Sequence, residues 1–180
     1  MSMRSSQKRK IRRESEAQLY EPAKQAIARL FKGKSCYLEI SATDRQMGEN
    51  VKRVLADYDL FASVVERFIP DITGYILDAN QSKSLIVVEV KPSPPRMKDI
   101  FQTKEYAEIF GAKYAFLISP HMLQEEVRRI LKMKGELLTH TGGYGKVLIG
   151  WLREAEKEEM VEGEKAGWII DGWFPDKPMI

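Results

Sequence analysis

The 180 residues suffice for one domain with at most a small appendage, and 43% hydrophobic residues argue against wholesale disorder. A single cysteine, Cys36, excludes an intrachain disulfide and a cysteine-rich zinc site, and the distant His121 and His140 form no HExxH pair. The net charge is +3, no run approaches about 18 consecutive apolar residues, and the basic N-terminus lacks a leader's apolar segment, so the expectation is a cytoplasmic protein without a membrane partner.

The charge is unevenly spread. Residues 1–13 hold Arg4, Lys8, Arg9, Lys10, Arg12 and Arg13 and no acid, while the rest carries 23 basic against 26 acidic residues. This stretch reads as a flexible basic arm suited to polyanions such as nucleic acid, or as a solvated tail. From Glu14 to about Lys32, apolar residues recur at helical spacing; Gly33 marks the end, and Pro22 is a candidate for the true helix start. Cys36–Ile40 suits a short strand and Gly48–Leu60 a helix. Phe61–Phe68 and Asp71–Leu77 suit two strands, or one bent at Pro70.

Polar Asp78–Ser84 reads as a turn, and Leu85–Val90 as a buried strand ended by Pro92, Pro94 and Pro95. Met97–Phe110 follows as a helix stopped by Gly111, then Tyr114–Ile118 as a buried strand. Ser119-Pro120 predicts the start of a helix reaching about Lys134. The strand–helix–strand order predicts a parallel crossover, and the polar turn an antiparallel pair before it. Core boundaries are thus set at 14–135. Residues 136–180 are read as an extension packing on the core or a partner chain, with Lys146–Leu152 a candidate strand, 153–165 exposed, and WIIDGWFP aromatic.

Glu89 and Lys91 project to one side of their strand and Val90 to the other. An acid and a base at the end of so apolar a strand are costly unless paired or functional. Antiparallel pairing through the turn brings Asp71 near them. Two close carboxylates repel, and a divalent cation such as magnesium relieves the repulsion while keeping sites for water and phosphate oxygens. The plain alternative is a structural salt bridge beside a turn. His121 lies in an expected first helical turn, away from catalysis, and GGYGK at 142–146 does not match a phosphate-binding loop.

Pro70-Asp71, seventeen intervening residues and Glu89-x-Lys91, with the surrounding helix and strands, resemble the PD-(D/E)XK nuclease superfamily over roughly residues 14–120. That superfamily includes restriction endonucleases, archaeal Holliday-junction resolvases and repair nucleases. The resemblance implies an α/β restriction-endonuclease-like core with a central mixed sheet flanked by helices. It implies a magnesium-dependent deoxyribonuclease, an endonuclease, with manganese as a substitute cofactor. Asp71 and Glu89 resemble metal ligands, joined by the Val90 carbonyl, and Lys91 the catalytic lysine. Glu21 resembles an additional helix-borne ligand, and Gln102 with Tyr106 the Gln…Tyr pair of some members, Gln102 facing the site. For Tyr106, core packing is the competing reading. The expected partner is nucleic acid, DNA by analogy, and cuts on opposite strands would suit a homodimer. Two alternatives stand: an inactive nucleic-acid-binding module of this fold, or a protein-interaction domain using Trp168 and Trp173.

Overall fold

The computed structural model describes residues 3–43, 45–55, 68–77, 80–140, 145–156, 159 and 167–176, and of residues 3–15 the backbone alone. It is an α/β structure with a mixed seven-stranded sheet flanked by helices. In chain order the elements are α1 (Met3–Leu30), β1 (Ser35–Ile40), the one-turn α2 (Glu49–Lys52), β2 (Ile72–Leu77), β3 (Lys83–Val90) and α3 (Met97–Phe110). Then come β4 (Tyr114–Ser119), α4 (Glu125–Met133), a 3-10 turn (Gly135–Leu138), β5 (Thr139–His140), β6 (Gly145–Glu154) and β7 (Trp168–Phe174).

The sheet order is β1-β2-β3-β4-β6-β5, with β7 also paired to β6. β2 and β3 are antiparallel, with Ile72 opposite Val88 and Leu77 opposite Lys83. β3 and β4 are parallel, with Glu89 level with Leu117, as the intervening α3 requires. Side-chain alternation in β3 separates two cores. Ile86, Val88 and Val90 face α1, packing with Ala23, Ile27 and Phe31. Val87 faces α3 and α4, packing with Ile100, Phe110, Leu117 and Leu131. Glu89 shares the parity of Val87. α3 begins where Asp99 Oδ2 accepts from the Arg96 amide at 2.9 Å, and it ends at Gly111, whose φ of 58° suits a residue without a Cβ.

Several sequence expectations differ from this structure. α1 runs unbroken from Met3 through Pro22, so its backbone is continuous with the stretch read as an arm. The helix expected from Ser119 starts at Glu125. Ser119 instead closes β4, level with Trp151, and its Oγ donates to Ser93 O at 3.1 Å and accepts from the His121 amide at 3.0 Å. A strand ladder and a turn have taken the residues that resemble a helix cap. Within 136–180 the described strands belong to the sheet: β6 pairs with β4, and Trp168–Phe174 of the aromatic tail forms β7 against β6. Trp173 packs there against Phe116, with ring centroids 5.7 Å apart. The helix expected over Gly48–Leu60 is described only at Glu49–Lys52; the strand expected over Phe61–Phe68 falls almost wholly outside the described residues. Among the described residues, no helix is long and apolar enough to cross a membrane.

His140 is a buried exception in this core. It is 1% exposed, and neither ring nitrogen has a hydrogen-bond partner among the described residues. Burial lowers its pKa. The unfolded chain therefore binds the proton more readily, so stability is fully present above the ordinary histidine range and is lost as pH falls through it. His140→Leu is expected to raise stability by roughly 1–3 kcal/mol, because two unsatisfied polar atoms leave the core, and to flatten the acid limb below about pH 6.5. Urea unfolding from pH 5 to 8 measures both effects; an unchanged acid limb would show that His140 does not set it.

Candidate active site

The C-terminal end of β3 and the start of β2 lie side by side at one edge of the sheet, between α1 and α3. Asp71 is fixed there by four hydrogen bonds. Its carbonyl accepts from the Ser41 and Ala42 amides at 2.9 and 3.2 Å, and its Oδ2 accepts from the Val90 amide at 2.7 Å. Its carboxylate also accepts from the Tyr20 hydroxyl of α1. Lys91 continues the β3–β4 ladder by donating its amide to Ile118 O at 2.8 Å, which sets its side chain beside that of Glu89. Its Nζ donates to Glu89 Oε1 and, at 3.2 Å, to Glu16 Oε1.

Asp71, Glu89 and Lys91 are thus brought together, and a third acid joins them. Glu16, Asp71 and Glu89 each offer a carboxylate oxygen within 4.8 Å of the others. Glu21, the helix acid expected as an additional ligand, is not in this group; it is exposed and pairs with Lys24 at 3.4 Å. The reason is helical geometry. Glu16, Tyr20, Ala23 and Ile27 repeat at four, three and four residues, so Glu16 extends the buried stripe of α1, whereas Glu21 is five residues on, about 140° around the helix. This spacing was the available signal for Glu16. Val90 contributes its amide to Asp71, while its side chain is buried toward α1.

Gln102 lines the same cavity and donates from Nε2 to Tyr106 Oη at 2.8 Å. Tyr106 belongs to both readings: it is buried in the α3 core and its hydroxyl edge lines the cavity. The cavity, about 610 Å3, is within the range of ligand sites and also takes in Thr43 and Arg45. Arg45, at φ 49°, is the second cation of its lining and had no sequence signal, being an isolated arginine in a loop.

The electrostatics are those of an acid cluster short of positive charge. Burial raises the pKa of Asp71, opposed by the Val90 hydrogen bond and by Lys91. Burial raises that of Glu89 as well, and the neighbouring Asp71 raises it further. For Lys91, burial alone would favour the neutral amine, but Glu89, Asp71 and Glu16 outweigh it and hold the lysine protonated. Burial and the carboxylate of Glu89 push Tyr106 up to about 12, so it is a neutral hydrogen-bonding group at neutral pH. Three converging carboxylates with one lysine fit a hard divalent cation bound through oxygen, such as magnesium or manganese; no histidine or cysteine stands in the group to favour zinc or copper. Comparison with protein-family models, curated proteins and solved structures returns no significant match.

Proposed function

We propose that this chain is a metal-dependent phosphodiesterase of the restriction-endonuclease-like PD-(D/E)XK type, a nuclease acting on nucleic acid, with DNA as its substrate. The observation that carries the reading is the meeting of Glu16, Asp71 and Glu89 within 4.8 Å, with Lys91 hydrogen-bonded to two of them. A structural ion pair needs one acid for one lysine. Three buried or half-buried acids around one lysine are costly, and the cost is understandable where a cation completes the site.

Glu16, Asp71 and Glu89 would hold the cation, with the Val90 carbonyl as a further candidate ligand. When bound, it supplies a water of lowered pKa and neutralises charge on the phosphate. Asp71 is oriented by the Val90 amide and Tyr20 and so needs no rearrangement. Lys91, being protonated, cannot accept the proton of the attacking water; its Nζ acts by charge, orienting the nucleophile and stabilising the negative charge that develops on phosphorus oxygens. Gln102, held by Tyr106, can hydrogen-bond substrate or water. Arg45 provides a positive wall for the incoming phosphate backbone.

The test is a panel of end-labelled single-stranded, duplex and branched DNA and RNA, incubated with magnesium, manganese or chelator. Cleavage of DNA in either metal, abolished by chelator, is the expected result; no cleavage of any substrate in either metal would refute the reading. Within it, Glu16→Gln is expected to weaken magnesium binding at least about tenfold by removing an anionic ligand, while Glu21→Gln changes it less than about twofold. Calorimetric titration of both variants compares the two helix acids directly; unchanged magnesium affinity in Glu16→Gln would mean that Glu16 is not a ligand.

A further inference from the structure

A second cavity lies along the same sheet edge. It is lined by His121 and Arg128, by Trp151 of β6, and by Gly172, Trp173 and Phe174 of β7. Its position relative to the acid cluster follows from register. Glu89 is level with Leu117, Leu117 with Ile149, and Ile149 with Phe174, so all four stand in one row across β3, β4, β6 and β7. Leu117, Ile149 and Phe174 pack with the α3 and α4 core, the face to which Glu89 belongs by alternation. Three strand spacings separate Glu89 from Phe174, roughly 14 Å. The second cavity and the carboxylates therefore open on the same side of the same sheet.

We propose that this cavity is a stacking subsite for one unpaired nucleobase of the strand whose phosphate is held at the carboxylate–lysine cluster; this rests on the nuclease reading above. Four features favour a base over other occupants. The volume, about 100 Å3, is small, below the usual range of cofactor and drug-sized ligand sites. Trp151 and Phe174, which share the face of Ile149, are only partly buried, so aromatic surface is left for a ligand. Trp151 is already fixed, because its Nε1 donates to Pro120 O at 2.8 Å, which lowers the ordering cost of stacking. Finally, Arg128 is the charged member of a lining without an acid among the described residues, which repels a cationic guest and attracts the phosphate attached to a base.

Gly172 offers a selective way to close the cavity. A Cβ added there meets no atom within 4 Å, and β7 holds this residue without a positive φ, so Gly172→Leu projects a side chain into open space. The experiment uses a short phosphorothioate oligothymidylate, which resists cleavage, and an abasic oligomer of the same length and charge, both in magnesium. With wild-type protein the thymidylate is expected to quench tryptophan emission and the abasic oligomer to leave it unchanged. Gly172→Leu is expected to bind the thymidylate about 5- to 100-fold more weakly, with no change toward the abasic oligomer. Unchanged wild-type emission overturns the subsite, whether or not the variant folds. Equal binding of thymidylate by the folded variant and wild type also overturns it, and cleavage of DNA in that case leaves the nuclease reading standing. Failure to bind either oligomer, together with failure to cleave, overturns both.

Discussion

Glu89→Gln is expected to abolish tight magnesium binding and, in metal-free protein, to remove most of a loss of stability with rising pH. Glu89 is 2% exposed beside Asp71, and burial and the Asp71 charge both hold its pKa above that of an exposed glutamate. The folded state therefore keeps protons that the unfolded chain releases, so stability is full below the ordinary carboxylate range and falls as pH rises through the raised values. Asp71 contributes in the same direction. Magnesium is expected to reverse the trend, because on the proposed reading it binds the deprotonated acids. At a hundred times its dissociation constant it adds about 2.7 kcal/mol, or roughly 5–10 °C in Tm for a chain of this size. Glutamine keeps the shape and a hydrogen-bond acceptor for Lys91 but carries no charge. Thermal unfolding from pH 5 to 8, with magnesium and with chelator, should give a wild-type curve that declines toward pH 8 only in chelator and a Glu89→Gln curve insensitive to magnesium. A magnesium-dependent rise of equal size in both proteins would place the metal elsewhere.

The second large effect is kinetic. Lys91→Ala is expected to slow single-turnover cleavage by about 10²–10³-fold, the usual loss when one preorganised charge at the reacting phosphate is removed. Magnesium binding should persist, because Glu16, Asp71 and Glu89 all remain and lose a competing cation. A ligand variant lowers occupancy, so raising magnesium partly restores its rate; Lys91→Ala should stay slow at saturating magnesium. A Lys91→Ala rate that returns to the wild-type value at high magnesium would reduce the lysine to a structural partner of the acids.

The meeting of Asp71, Glu89 and Lys91 was legible in the sequence where strand period and burial coincide. Asp71, Glu89 and Lys91 interrupt apolar segments, and alternation alone puts Glu89 and Lys91 on one side of β3. The pairing of β2 with β3 followed from the polar turn, and the parallel β4 from α3 between the strands. The helix acid was harder to read, because glutamates are common on exposed helix positions and only the phase of the Tyr20–Ala23–Ile27 stripe selects Glu16 over Glu21. Ser119-Pro120 misled because a capping sequence and a strand-ending turn use the same residues; the ladder to β6, set by distant Trp151, decided between them. The place of β7 could not be read locally either, since an aromatic tail chooses its partner strand by tertiary packing against residues such as Phe116.

The most direct measurement is the single-turnover rate of cleavage by Asp71→Asn, relative to wild type, on whichever DNA wild type cuts fastest in magnesium. Asparagine retains an oxygen acceptor for the Val90 amide, so the edge of the sheet should keep its geometry while the metal loses a charged ligand. The expected result is a fall of at least about 10²-fold, with wild type in chelator equally inactive. Cleavage that persists in chelator, or that Asp71→Asn leaves undiminished, would contradict a catalytic centre at Glu16, Asp71, Glu89 and Lys91.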